Sequence, residues 1–454
     1  LELILLVCPH PLRRGPDRNF RAAGNAASPS SKGGNSMKLV VKRGLTAAIL
    51  GTVCLAGAAS AEPTAEVLHW WTSGGEAKAV SALKADFEAN GGKWIDNAVA
   101  GGGGDAAMTV LRSRALAGDP PAAAQIKGPA IQEWAKQGVL NTLDQVAAAE
   151  QWDKVLPPAI QSVMKYQGKY VAAPVNVHRV DWIWSNPAVL AKVGATAPTS
   201  WDEFNAVADK LKAAGITPLA HGGQPWQDAT IFETVVLGLG GPDFFKKAFV
   251  DLDEATLKSD TMVKVFDQMR KIRGYVDPNF PGREWNLATQ MVINGTAGMQ
   301  IMGDWAKGEF LAAGKVPGKD FTCTATPSKG GYLSNVDSFA MFKVKGDDKI
   351  AGQNLFAKLL VGEKFQETFN LYKGSIPARI GVSMDKFDDC AKKSEADLKA
   401  ASAGGTLLPS MAHGMATVGA VSGAIFEVVT QHFNSNMSSA DATKKLAEAV
   451  AMAK

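Results

Sequence analysis

The sequence is poor in cysteine, with four in 454 residues, in tyrosine, with five, and in histidine, with six. So few cysteines exclude a small scaffold held by disulfides. The histidines are scattered, and neither His-Glu-x-x-His nor Cys-x-x-Cys occurs, so no metal-ligand spacing is present. The Gly101–Gly104 run lacks a following Gly-Lys-Ser/Thr, and Gly318-Lys319-Asp320 fails at its last position, which removes the usual phosphate cradle. A Gly-x-Ser-x-Gly nucleophile turn is missing as well. No cofactor and no metal are expected. Carboxylate pairs that cleave glycosides are set by separation in space rather than in sequence, so a secreted carbohydrate-active enzyme stays open as an alternative.

No apolar run reaches the roughly 20 residues that a membrane-spanning helix needs. The longest candidate lies after Met37, where Lys38, Lys42 and Arg43 precede a mainly apolar Gly44–Leu55 and small residues follow at Ala59-Ser60-Ala61. This is the pattern of a signal peptide, residues 37–61, with cleavage expected after Ala61 and release of an exported protein. Residues 1–36 read as an upstream extension or a start-site artefact. Setting aside residues 1–61 removes eight of the 48 Lys and Arg and two of the 44 Asp and Glu, leaving 40 basic against 42 acidic. An excess of positive charge is therefore lacking, and a nucleic-acid partner is not expected. Two cysteines survive, Cys323 and Cys390, 67 positions apart. In an exported protein the pair reads as one disulfide, worth about 4 kcal/mol in the chain-entropy view; two buried thiols are the alternative.

What the sequence does have is 46% hydrophobic residues and a strand–helix alternation. Val67–Thr72 is strand-like, Ser73-Gly74-Gly75 breaks it, and Val80, Leu83 and Phe87 then fall on one helical face. Trp94–Ala100, a helix over Asp105–Ala117 and a strand over Ala122–Ile126 repeat the unit. Such alternation predicts parallel sheet covered by helices, an α/β fold, with ligands outside the carboxyl ends of the strands. The loops carrying Trp70, Trp71, Glu76 and Lys127 are thereby aimed at one crevice. Farther on, Ser200 and Glu203 mark a helix start. With no linker of low complexity, two lobes sharing crossing segments are expected: residues 62–175 plus 317–365, and 176–316 plus 366–454.

Flat and amidic side chains gather at turns: Trp70-Trp71 beside a glycine turn, Trp226 after Gly222-Gly223-Gln224-Pro225, and Trp305 after Gly303-Asp304. A pyranose has an apolar C–H face that stacks on a ring and hydroxyls that need charged or amide partners once dry. The inventory suits a sugar.

Four segments carry a resemblance: Leu68-His-Trp-Trp-Thr-Ser-Gly-Gly-Glu76, Pro198-Thr-Ser-Trp-Asp-Glu-Phe204, Asn294-Gly-Thr-Ala-Gly-Met-Gln-Ile-Met-Gly-Asp-Trp305 and Lys373-Gly-Ser-Ile-Pro377. The chain resembles the solute-binding proteins of ABC transporters that include maltose- and glucose-binding proteins, and is most similar to the glucose-binding branch. The resemblance implies a periplasmic-binding-protein fold of type II, two hinged lobes closing on a ligand, with no enzymatic activity. It implies a monosaccharide ligand, glucose, inner-membrane ABC permease subunits as partners, and a monomer. It also implies a sugar site of Trp70, Trp71, Glu76, Lys127, Trp305, Asn335, Asp337, Lys373 and His413. The middle region fixes less, and Asn176, His178, Trp226 and Asp228 are secondary candidates there. A sensor handing the same sugar to a chemoreceptor would differ only in its partner.

Overall fold

The computed structural model describes residues 62–454, and the readings of residues 1–36 and 37–61 lie outside the described residues. The first sheet has the order β2-β1-β3-β13-β6. It is built from β1 (Thr64–His69), β2 (Lys93–Ala98), β3 (Ala123–Ile126), β6 (Ala172–Pro174) and β13 (Ser338–Met341). β1 runs parallel to β2 and β3, whereas β13 is antiparallel to both β3 and β6. β4 (Lys165–Tyr166) and β5 (Lys169–Tyr170) form a separate hairpin.

The second sheet, β11-β8-β10-β9, comes from β8 (Trp182–Ser185), β9 (Thr217–Leu219), β10 (Ala297–Ile301) and β11 (Thr322–Ala325). A third, β14-β12-β7, comes from β7 (His178–Arg179), β12 (Tyr332–Asn335) and β14 (Leu407–Pro409).

Two apolar cores result. One gathers Val67, Leu83, Phe87, Phe339, Phe356 and Phe369 around the first sheet; the other gathers Trp182, Trp184, Phe232, Phe266, Phe310 and Val429 around the second. The chain passes between them three times. Val177 lies in the first core and Val180 in the second, Leu333 in the second and Val336 in the first, and Ala391 in the first with Leu408 in the second. The first two passages lie side by side, because β7 and β12 pair antiparallel with Ser334 opposite Arg179 and Asn335 opposite His178. A hydrogen-bonded ribbon of two crossing strands is what a hinge between lobes requires.

The division expected at 317–365 and 366–454 differs from this partition in two segments. β11 pairs with β8 and so belongs to the second lobe. Phe369, Ile376 and Phe387 pack in the first core. Apolar periodicity marks the helix Glu363–Lys373 but not the core it serves, since that depends on contacts remote in sequence. At the predicted helix start, Ser200 accepts the Glu203 N–H at 3.1 Å, while the Glu203 carboxylate accepts the N–H of Thr199 rather than that of Ser200.

Cys323 and Cys390 are joined, with 6.0 Å between their Cα atoms. The bond ties β11 to the helix Asp389–Gly404, and so fixes the third crossing to the second lobe. Among the described residues no helix is long and apolar enough to cross a membrane.

One buried residue gives stability an acid limit. His432 lies in the helix Gly419–Asn434 against Phe266, at 4.8 Å between ring centroids, and neither ring nitrogen has a partner among the described residues. Burial, with the nearby Arg270 charge, pushes its pKa down to about 4. The unfolded chain titrates this group near its ordinary 6.5, so between pH 6.5 and 4 protons favour unfolding. Stability from this group is therefore full above that window and is lost as the pH falls through it. His432→Leu is expected to flatten the decline of Tm over pH 6.5–4 in thermal unfolding monitored by circular dichroism, leaving Tm at pH 8 within a few degrees.

Candidate binding site

Strand register decides what meets in the cleft. Trp70 and Trp71 follow the carboxyl end of β1, and Lys127 follows that of β3. β13 runs the other way, and Ser338 pairs with Ile126, so Asp337 enters beside Lys127. In the second lobe β9 and β10 are parallel, and their carboxyl ends lead to Trp226 and Trp305. β12 and β14 are parallel too, bringing Asn335 near the segment that carries His413. Three sheets thus send their carboxyl ends to one place, where α/β proteins hold ligands.

A cavity lies there between the lobes. The first lobe contributes Trp70, Trp71, Glu76, Lys127, Asp337 and Lys373. The second contributes Trp226, Trp305 and His413, and the hinge ribbon contributes His178 and Asn335. All nine principal candidates therefore line one cavity, together with His178 and Trp226. Asn176 and Asp228 do not line it. Asn176 is buried beneath, taking the Asp337 N–H on Oδ1 at 3.0 Å and donating to the Asp337 carboxylate at 3.3 Å. Asp228 turns away, accepting from His221 Nε2 at 2.8 Å. A helix spacing places Asp228 two residues from Trp226 and hence on another face.

Sequence reasoning missed Trp285, Gly102 and Gly103, which also line the cavity. A Cβ on Gly102 would come within 2.8 Å of Trp285 Cδ1 and 2.9 Å of Trp226 Cζ2. The glycine run of one lobe is thus pressed on two tryptophans of the other. The run was visible as a turn, but its partners, Trp226 and Trp285, lie 124 and 183 residues from Gly102 in the chain.

Electrostatics are organised in two groups. Lys373 Nζ donates to Glu76 Oε1 at 2.8 Å, and Ser73 Oγ to Glu76 Oε2 at 3.1 Å, both buried. Lys127 Nζ stands 5.1 Å from the ring centre of Trp70 and Lys373 Nζ 5.7 Å from that of Trp71, within range of a cation–π attraction. Burial pushes the Lys127 ammonium down from its ordinary value, against the pull of Asp337. The second group is Asp304–His178–Asp337: His178 Nδ1 meets the Asp304 carboxylate and Nε2 meets Asp337 Oδ2 at 3.0 Å. Burial alone would lower the His178 pKa, but the Asp304 charge and the hydrogen bonds to both carboxylates hold it above the ordinary value. Burial would raise Asp337; the His178 hydrogen bond and charge, with Lys373 and Lys127, hold it far below the usual carboxylate range.

The aromatic walls meet edge to face: Trp305 is 5.2 Å from His178 and 4.8 Å from His413, at interplanar angles of 90° and 67°. Asn335 Oδ1 has no partner among the described residues. The cavity offers ring faces, ammonium donors and carboxylate acceptors together, the set a polyhydroxylated ring can satisfy.

The lobes are closed on each other. Gly75 N–H donates to Glu309 Oε1 of the other lobe at 2.7 Å. Gly128, at φ 51°, lies so near Gly414 that a Cβ would stand 2.3 Å from its carbonyl oxygen. Gly128→Ala is expected to hold the lobes apart: ligand affinity falls at least about tenfold, roughly 1.4 kcal/mol, while the ligand-free protein loses only about 1–3 kcal/mol from a sparsely populated backbone conformation at positive φ. Calorimetry and denaturant unfolding separate the two effects.

A two-lobed α/β molecule with a hinge ribbon and a closed polar-aromatic cleft defines the class of periplasmic solute receptors. Residues 71–367 match the model of the bacterial extracellular solute-binding proteins, and the chain belongs to that family, whose members bind solutes rather than act as enzymes. The chain is 54% identical over 419 residues to a probable sugar-binding periplasmic protein of Brucella suis biovar 1 (strain 1330), covering 92% of this chain and 99% of that one. It is 54% identical over 410 residues to a protein of the same description from Rhizobium meliloti (strain 1021), covering 90% and 99%. Among solved structures, the bacterial solute receptor AcbH, described as having an exclusive preference for β-D-galactopyranose, superimposes with a TM-score of 0.72. It is 20% identical, and the match covers 86% of this chain and 99% of that one.

Proposed function

We propose that this protein is the sugar receptor of an ABC importer and that its ligand is a monosaccharide, glucose. The observation that carries the reading is the lining of the cavity: Trp70, Trp226 and Trp305 as ring faces, with Lys127, Glu76 and Asp337 as polar partners. The names borne by the Brucella and Rhizobium relatives support a sugar ligand. In this reading the protein is exported through its signal peptide with cleavage after Ala61, works as a monomer in the periplasm and hands its ligand to inner-membrane permease subunits.

The sugar enters the open cleft, settles on one lobe, and is then enclosed by the other; closure gains only from contacts that the open state lacks. Hydroxyls accept from Lys127 and donate to Asp337, and each pairing left unmade in the dry cleft costs about 1–3 kcal/mol. Epimers are discriminated by that loss. Calorimetry against glucose, galactose, mannose, xylose and maltose tests the assignment. Saturable one-to-one binding strongest for glucose is expected, with the sugar recovered unchanged. Binding of maltose in preference to every monosaccharide would overturn it.

A further inference from the structure

Behind the cleft wall, Glu233 is a fully buried carboxyl group in the helix Pro225–Gly240, outside the cavity lining yet bonded at both oxygens, and burial pushes its pKa up to about 8. Its Oε2 accepts the N–H of Met411 at 2.8 Å and of Ala412 at 3.2 Å, and its Oε1 pairs with Ser410 Oγ at 2.6 Å. Ser410 Oγ in turn accepts the His413 N–H at 3.1 Å. One side chain therefore bonds to Ser410, Met411 and Ala412 in the turn that leaves β14 and carries His413. One turn earlier on the same helix, Thr230 Oγ1 lies 3.2 Å from His413 Nε2.

The direction of that last bond is decided by a third group. Thr230 has one hydroxyl proton, and it goes to the Trp226 carbonyl at 2.8 Å, an oxygen that can only accept. Toward His413, Thr230 Oγ1 must therefore accept, so Nε2 carries the ring proton. Nδ1 then carries a lone pair if the ring is neutral. Burial first, then the charges of Lys127 and His178, drive the His413 pKa well below its ordinary value, with Lys373 acting the same way and Asp337 opposing. Nδ1 has no partner among the described residues, and His413 lines the cavity.

We propose that Glu233 is a positioning residue for ligand recognition: by holding 410–413 against Thr230 it fixes His413 as the Nε2–H tautomer, whose Nδ1 accepts a hydrogen bond from one sugar hydroxyl. The inference rests on the sugar-receptor reading above and adds a polarity to it. Lys127 can only donate to the ligand, so the two neighbours read opposite ends of a hydroxyl: one demands a lone pair, the other a proton. Fluorine replaces a hydroxyl as an acceptor but never as a donor, and so separates the two.

The experiment is calorimetry of glucose and its monodeoxyfluoro derivatives with wild type, Glu233→Ala, Glu233→Gln and Thr230→Val. For wild type, one ring position is expected at which fluorine weakens binding at least about tenfold. In Glu233→Ala and Thr230→Val the hydroxyl-to-fluorine ratio at that position falls below about threefold, and Glu233→Gln, which keeps the acceptor for both N–H groups, restores it. Should Glu233→Ala fail to fold, Thr230→Val and a measurement on the unaltered protein decide. In a long-range proton–nitrogen spectrum His413, assigned by its loss in His413→Gln, is expected to show a protonated Nε2 and a bare Nδ1 from pH 5.5 to 8. The opposite tautomer, or an unchanged ratio in both variants while glucose still binds wild type, overturns the inference and leaves the sugar-receptor reading intact. No heat with any monosaccharide overturns both.

Discussion

Replacing His178 by leucine is expected to destabilise the protein by about 3–5 kcal/mol and to abolish tight sugar binding. His178, its pKa held above the ordinary value, bridges Asp304, which opens the helix Trp305–Ala312, and Asp337, which opens β13. All three are buried. Leucine removes the cation and leaves two carboxylates facing each other in a dry site, and breaking a buried pair from one side costs that much even where the intact pair is worth little. Asp304 keeps the Arg179 N–H at 3.0 Å and Asp337 keeps Asn176, so the chain still folds. The Tm is expected to fall by roughly 5 °C. His178→Gln, which retains one donor, falls between leucine and wild type. Denaturant unfolding checks the ordering; a leucine variant within about 1 kcal/mol of wild type would show that the bridge carries no energy.

Trp305→Ala is expected to weaken glucose binding at least about tenfold, the equivalent of 1.4 kcal/mol, and to cost about 3–5 kcal/mol of stability as a core truncation. The ring is buried in the second core and is the common neighbour of His178, His413 and Trp226. Its loss removes a stacking face and the surface that sets two imidazole edges. Trp305→Leu fills much of the core and so isolates the stacking term: stability recovers in large part while affinity does not. Calorimetry beside thermal unfolding resolves the two, and affinity within threefold of wild type in both variants would remove Trp305 from the site.

The parts of the site legible in sequence are those where chemistry and local structure coincide. Trp70, Trp71 and Lys127 follow apolar strand patterns directly, and the rule that α/β ligands lie beyond the strand ends places them without any long-range knowledge. Trp305 follows Gly303-Asp304 in the same way. His178 was a secondary candidate, because nothing in a short β-rich stretch announces that carboxylates 126 and 159 residues away will bracket it. Trp285 sits at the start of an ordinary amphipathic helix and faces the cleft only because the glycine run of the other lobe reaches it. Asn176, a secondary candidate, lies beneath the cavity and bonds to Asp337, a partner 161 residues away that no local pattern announces. The lobe boundaries failed where a helix with an unremarkable apolar face, Glu363–Lys373, joined the core on the far side of the hinge.

The central claim is that one pyranose is enclosed between the lobes, and a crystal structure grown with saturating glucose tests it most directly. The expected result is a single sugar ring in the cavity, its face on Trp305 and its hydroxyls within hydrogen-bonding distance of Lys127, Asp337 and His413. A cleft without sugar under those conditions, or a sugar seated only in the outer groove beside Met108, Trp134 and Phe426, would contradict the account.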